Sequence, residues 1–160
     1  MNAFCASLLS SRGGYGLTVL RVVVGLTFMA HGSQKLFGWF GGYGLAGVGQ
    51  WMESIGLSPG YLMALLAGSG EFFGGLALVI GLLVRPAAVV LAVVSLVAMF
   101  SVHWVNGFFI TNNGFEYALA LLAASVALLI DGAGKLSLDS RLCADKRSAG
   151  SGLTAVSRHP

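Results

Sequence analysis

The sequence predicts an all-α integral membrane protein, a four-helix transmembrane bundle with both termini cytoplasmic and a short interfacial helix in its first outer loop. Three observations predict it. The chain is 56% hydrophobic and only 9% charged, with a mean hydropathy of +0.84, a combination that soluble domains do not reach. Four apolar runs approach the roughly 20 residues that a helix needs to cross a hydrocarbon core of about 30 Å. Lysine and arginine fall almost wholly in alternate connections, the asymmetry expected where positive charge is held on the cytoplasmic side.

The first run, 15–37, is the least apolar, because Arg21 and the polar stretch from His31 to Lys35 interrupt it. Arg12 ahead of it gives the look of a signal peptide, but no small-x-small cleavage site precedes Gln34, so it reads as a retained helix. The second run, 61–84, carries one charge, Glu71, and the third, 86–105, carries only His103 near its end. Pro86 opens the third where a missing N–H costs nothing, and Arg85 marks the turn before it. The fourth, 115–130, is short for a span, a mismatch that local thinning or the interfacial Phe108 and Phe109 would absorb.

Between the first two runs, 38–60 is rich in glycine and aromatic residues. Leu45, Val48, Trp51, Met52 and Ile55 recur there at helical spacing with Gln50 and Glu53 opposite, which predicts a short amphipathic helix at the interface. Arg12, Arg85, Lys135, Arg141, Lys146, Arg147 and Arg158 then share one side, and the other side holds only Lys35. The expected organisation is a cytoplasmic segment at 1–14, a transmembrane domain at 15–141 and a disordered cytoplasmic tail at 142–160. The net charge of +3 is scattered, so nucleic acid is not a partner. Cys5 and Cys143 lie far apart outside any metal or redox spacing.

An ionisable side chain at membrane depth costs a few kcal/mol or more, so each needs a partner or a purpose. Helix rise puts Arg21 and Glu71 within reach of each other, which predicts an ion pair clamping the first two spans. Glu71 shares a face with Ala64, Gly68 and Gly75, a seam suited to close backbone approach. His31 and Lys35 are one turn apart at the outer end of the first span, as are His103 and Asn106 on the third, with Glu116 level with them. Each has a bland explanation: Lys35 snorkels, Glu116 favours a helix N-terminus, and His103 sits at the interface beside Trp104. Their common depth predicts a polar site, with Trp39 at its rim.

Two histidines on different spans raise the question of haem or a metal, but no Cys-x-x-Cys-His and no third ligand accompany them. A quinone headgroup suits the set better, since its carbonyl oxygens accept hydrogen bonds from His, Lys or Asn while Glu and His exchange protons.

The stretch His31-Gly32-x-x-Lys35-Leu36-Phe37-Gly38 with Phe40-Gly41-Gly42-x-Gly44 resembles the first-helix signature of the bacterial DoxX family. Gly70-Glu71-Phe72-Phe73-Gly74-Gly75 with Gly81-Leu82-Leu83-x-Arg85-Pro86 resembles its second. His103-Trp104-x-Asn106-Gly107-Phe108-Phe109 and Asn113-Gly114-Phe115-Glu116-Tyr117 resemble its third and fourth. The resemblance covers residues 17–139 and implies a bacterial inner-membrane location and association with membrane oxidoreductases. Related chains serve as the quinone-facing subunit of a thiosulfate:quinone oxidoreductase, and others are linked to oxidative stress.

The expectation is therefore a redox-associated subunit with an outward-facing polar pocket for a quinone-like ligand. Lys35 and His31 would polarise the ligand, His103 and Glu116 would exchange protons, and Trp39 and Asn106 would complete the binding set. The rival is a non-catalytic membrane anchor for a soluble oxidoreductase partner, with a small transporter behind it. Small-residue faces also suit a homodimer within the lipid bilayer.

Overall fold

A computed structural model describes residues 14–142; all but the last residue of the expected cytoplasmic segment at 1–14, most of the tail at 142–160, Cys5 and Cys143 lie outside this range. Among the described residues there are helices and turns and no strand. In chain order the helices are α1 (Tyr15–Phe37), α2 (Gly44–Ser54), α3 (Gly60–Ile80), α4 (Val84–Ala98) and α5 (Glu116–Asp131). A π turn at Met99–His103 and a 3-10 turn at Trp104–Asn106 prolong α4. Among the described residues three segments are long and apolar enough to cross a membrane, rather than the four expected: Tyr15–Phe37, Gly60–Ile80 and Val84–Asn106. At 16 residues α5 reaches only about 24 Å.

The surface is apolar, unlike that of a soluble bundle, and several polar side chains lie inside. Val19, Val23, Leu66, Phe73, Val93 and Ile130 are exposed, whereas Arg21, Ser33, Glu71, Ser95 and Ser125 are buried. Hydrocarbon solvates the first set, and the second must find partners inside. The three serines do so within their own helices, each hydroxyl donating to the carbonyl four residues earlier, Met29, Leu91 and Leu121.

Helices α1 and α3 run antiparallel with glycine at their closest points. A Cβ placed on Gly25 would lie 2.7 Å from the Gly75 carbonyl oxygen, and one on Gly32 would lie 2.5 Å from the Phe72 nitrogen. Only glycine permits backbones this near. The buried face of α3 is Gly60, Ala64, Gly68, Glu71, Gly75 and Leu78, so the expected seam around Glu71 is the packing face.

Helix α2 packs on α3, with Val48 and Met52 buried against Ala64 and Leu45 half-buried beside them. Trp51 and Ile55, expected on the apolar face of this interfacial helix with Val48 and Met52, are exposed. A second core, built on Phe28, Leu78, Val84, Leu91 and Leu128, joins α1, α3, α4 and α5.

The end of the bundle at Arg21 is closed by polar contacts. Gly81, at φ 73°, ends α3, and its N–H and that of Leu82 donate to Leu78 and Ala77. Arg21 Nη1 donates to the Leu78 and Val79 carbonyls at 2.5 and 2.7 Å, its Nε donates to Ala133 at 2.8 Å, and its Nη2 donates to Leu136. Leu83, the N-cap of α4, has no side chain able to cap, and Asp139 acts from a distance by accepting the Leu83 and Val84 N–H groups at 2.8 and 3.0 Å. Arg85, expected in the turn, lies within α4 and donates to the Leu129 carbonyl at 2.7 Å.

Candidate functional site

The expected Arg21–Glu71 ion pair does not form. The register that sets Gly25 against Gly75 and Gly32 against Gly68 and Phe72 brings Glu71 level with His31, about 15 Å along the axis from Arg21 but only about 6 Å from Lys35. Arg21 meets the carbonyl-rich C-terminus of α3 instead, where unsatisfied acceptors and the negative end of the helix dipole suit a guanidinium. Glu71 pairs with Lys35, Nζ to Oε2 at 2.6 Å, with side-chain exposures of 23% for the lysine and 8% for the glutamate.

Lys35 and Glu71 lie at one side of a cleft of about 1460 Å³ bounded by α2, α3 and α4. Its α4 wall runs from Val89 through Val93 and Val97 to His103, about 21 Å of helix. Leu66 and Met63 of α3 and Trp51 and Met52 of α2 complete the lining. Val89, Val93, Val97 and Leu66 are all exposed, so the cleft opens on the apolar flank of the bundle.

His103 reaches this cleft from the π turn that ends α4, an interruption that turns Ser101, Val102 and His103 onto one wall. Its Nδ1 lies 2.9 Å from the Asn113 carbonyl oxygen. A carbonyl only accepts, so Nδ1 carries the hydrogen and in the neutral ring Nε2 holds the lone pair.

The remaining expected residues lie elsewhere, so the single cluster is divided. His31 packs on Tyr117 of α5, with ring centroids 6.0 Å apart, because it faces a different neighbour of α1 from Lys35. Glu116 starts α5 and accepts the Ile110 N–H at 2.7 Å, tying the connection between α4 and α5. Asn106 donates to the Val102 and Asn113 carbonyls at 3.2 and 3.3 Å in the same connection. Trp39 sits in a 3-10 turn, its ring tilted against that of Phe37 at 5.0 Å between centroids, and is 56% exposed. None of these four lines the cleft.

Sequence reasoning did not single out Ser101 or Asn113, which line the cleft, nor Asp139, which caps α4. An Asn-Gly pair favours a turn, and Asn113 adopts φ 60°, but nothing local says that its carbonyl holds a histidine. Among the described residues, no three of His, Cys, Asp and Glu converge as a metal site.

Comparison with known proteins agrees with the motif reading. The DoxX family model matches residues 16–104. A Haemophilus influenzae protein named only as uncharacterized is 34% identical, over 79% of this chain and 90% of its own length. The Bacillus subtilis protein named "Putative oxidoreductase CatD" is 33% identical, over 78% of this chain and 84% of its own. The Escherichia coli protein named inner membrane protein YqjF is 31% identical, over 79% and 92%. No solved structure matches the chain. The family match over more than half the chain, with relatives covered nearly end to end, makes this membrane protein a member of the DoxX family.

Proposed function

We propose that the chain is a four-span inner-membrane subunit, with both termini cytoplasmic, that binds a quinone-like ligand in the α2–α3–α4 cleft on behalf of a redox partner. One observation carries the reading: the Lys35–Glu71 pair stands beside a long apolar wall open to the flank of the bundle. That combination suits a polar head on an apolar tail, as ligand sites generally pair apolar walls with a few placed polar groups.

Four spans are favoured by the course of α5. It starts beside the His103 and Asn106 connection and leads into carbonyls held by Arg21 at the opposite end, so it runs the height of the bundle despite its length. Arg85, Lys135 and Arg141 belong to the Arg21 end, Lys135 lying 5.3 Å over the Tyr15 ring, which favours that end as cytoplasmic. Reporter fusions at both termini test this topology.

In this reading Lys35 donates a hydrogen bond to a ligand oxygen, and Glu71 holds the ammonium where a lone lysine would snorkel away. His103 Nε2 exchanges a proton at the ligand's oxygen. The quinone itself supplies the electron-accepting chemistry. The oxidoreductase name of the Bacillus subtilis relative supports a redox setting.

The test is lipid-extract mass spectrometry and an absorbance spectrum of the chain purified in nanodiscs, with Trp51 quenching by added quinone. Wild type should carry and bind quinone, and His103→Ala should lose binding while melting normally. Wild-type protein that neither retains nor binds quinone overturns the reading. A partner captured equally well by the His103→Ala and Lys35→Ala variants would favour a scaffold.

A further inference from the structure

The cleft has a floor. Toward the Arg21 end its last lining residues are Glu71 on α3, Gln34 on α1 and Val89 on α4. A Cβ on Gly70 would lie 3.0 Å from Val90, and one on Gly74 would lie 3.1 Å from Leu91, which sets Glu71 about level with Ala92. All three limits therefore fall within about one helical turn of Glu71.

Below that level the bundle is closed. Phe28, Leu78, Ala88 and Leu91 are at most 2% exposed, and Gly25 meets Gly75 backbone to backbone. Arg21 then ties the end of α3 to the stretch after α5. In the other direction the lining continues about 14 Å along α4 to Ser101 and takes in Gln50 and Asn113, all three exposed. The flank opening offers valines to acyl chains, whereas this end offers a hydroxyl and two amides to water.

We propose that the cleft is a one-sided vestibule, open at the α4–α5 connection, blind at Lys35 and Glu71 and closed toward Arg21. It gives the charged pair near the middle of α3 a polar route to one face, the setting in which ionisable groups are tolerated at membrane depth. Polar groups reach the pair, and protons released there leave, at the open end. The inference rests on the quinone reading and its four-span topology and adds a side to them: the ligand head exchanges protons with the extracytoplasmic face.

Cysteine accessibility in sealed vesicles tests this on the full chain, with Cys5 and Cys143 replaced by serine. The probe is a quaternary-ammonium thiosulfonate, which does not cross a bilayer. Thr111→Cys in the α4–α5 connection and Lys135→Cys near the Arg21 end mark the two faces. Ala67→Cys, on the cleft wall one turn from Glu71, should react from the Thr111 face and stay unmodified from the Lys135 face. Ala88→Cys, beneath the floor, should react from neither, and a decyl-chain benzoquinone should protect Ala67→Cys.

Reaction of Ala67→Cys from the Lys135 face overturns the vestibule, as does reaction with a membrane-permeant maleimide alone. Modification of Ala88→Cys in a protein that melts normally removes the floor and overturns it too. One-sided reaction that the benzoquinone does not slow supports the vestibule and counts against the quinone reading. Marker cysteines that react from the same face overturn the four-span topology and the sidedness together.

Discussion

Lys35 of α1 and Glu71 of α3 meet at 2.6 Å across the helix seam, with the carboxylate almost wholly removed from solvent. Breaking a buried pair from one side leaves an uncompensated charge, which costs about 3–5 kcal/mol. Lys35→Met and Glu71→Gln should therefore each lower the unfolding temperature in bicelles, with Lys35→Met the worse because it strands the deeper group. The double variant should recover much of the loss. Additive losses in the double variant would show that the two side chains do not act as a pair.

Arg21 and Asp139 together close the opposite end. Arg21→Lys keeps the charge but loses the planar fork that reaches carbonyls of two segments, the end of α3 and the stretch after α5, a loss of about 2–4 kcal/mol by analogy with other buried charge-assisted bonds. Asp139→Ala should cost about 1–2 kcal/mol, the usual range for an N-terminal cap. Hydrogen exchange should report the second change as faster amides at Leu83 and Val84. Unchanged exchange there would contradict the cap.

The glycine seam makes a paired prediction. Gly32→Ala places a Cβ against the Phe72 backbone, which must move, and should destabilise by about 1–3 kcal/mol. Gly16→Ala on the same helix meets nothing within 4 Å and should be neutral or stabilise by up to about 1 kcal/mol. Thermal melts of the two variants side by side check this, and equal effects would remove the close-packing argument.

Glu53 supplies a pH dependence in the connection between α2 and α3. Ser58 Oγ donates to its carboxylate at 2.6 Å and the Gly60 N–H donates to the other oxygen, which holds the group below the usual glutamate range. A depressed carboxylate contributes above its unfolded value and loses that contribution as pH falls through its folded value. The Gly60 amide should therefore be protected near neutrality, relative to its intrinsic exchange rate, and lose that protection in acid, and Ser58→Ala should move that loss to higher pH. An identical pH profile for the variant would show that the serine does not tune the group.

The motif stretches around His31, Glu71 and His103 made the family legible before any coordinates. The first span is also legible to the residue, because an apolar run ended by Gly38 and a left-handed cap is a local signal. The start of α4 is less so. Two residues before Pro86 join the helix because Asp139, 55 residues from Val84, satisfies their end.

What the sequence by itself determined is therefore the membrane solvent, the helical class, the family and the small-residue face of α3. These depend on run length and periodicity, which are properties of neighbouring residues in the chain. The tertiary structure decided that Lys35 and not Arg21 meets Glu71, that His31 turns to Tyr117, and that His103 alone of the five residues expected beside Lys35 reaches the cleft with it. Those choices follow from the axial register and rotation of packed helices, which the glycine contacts between α1 and α3 set to within a turn. One turn is enough to exchange one cation for another.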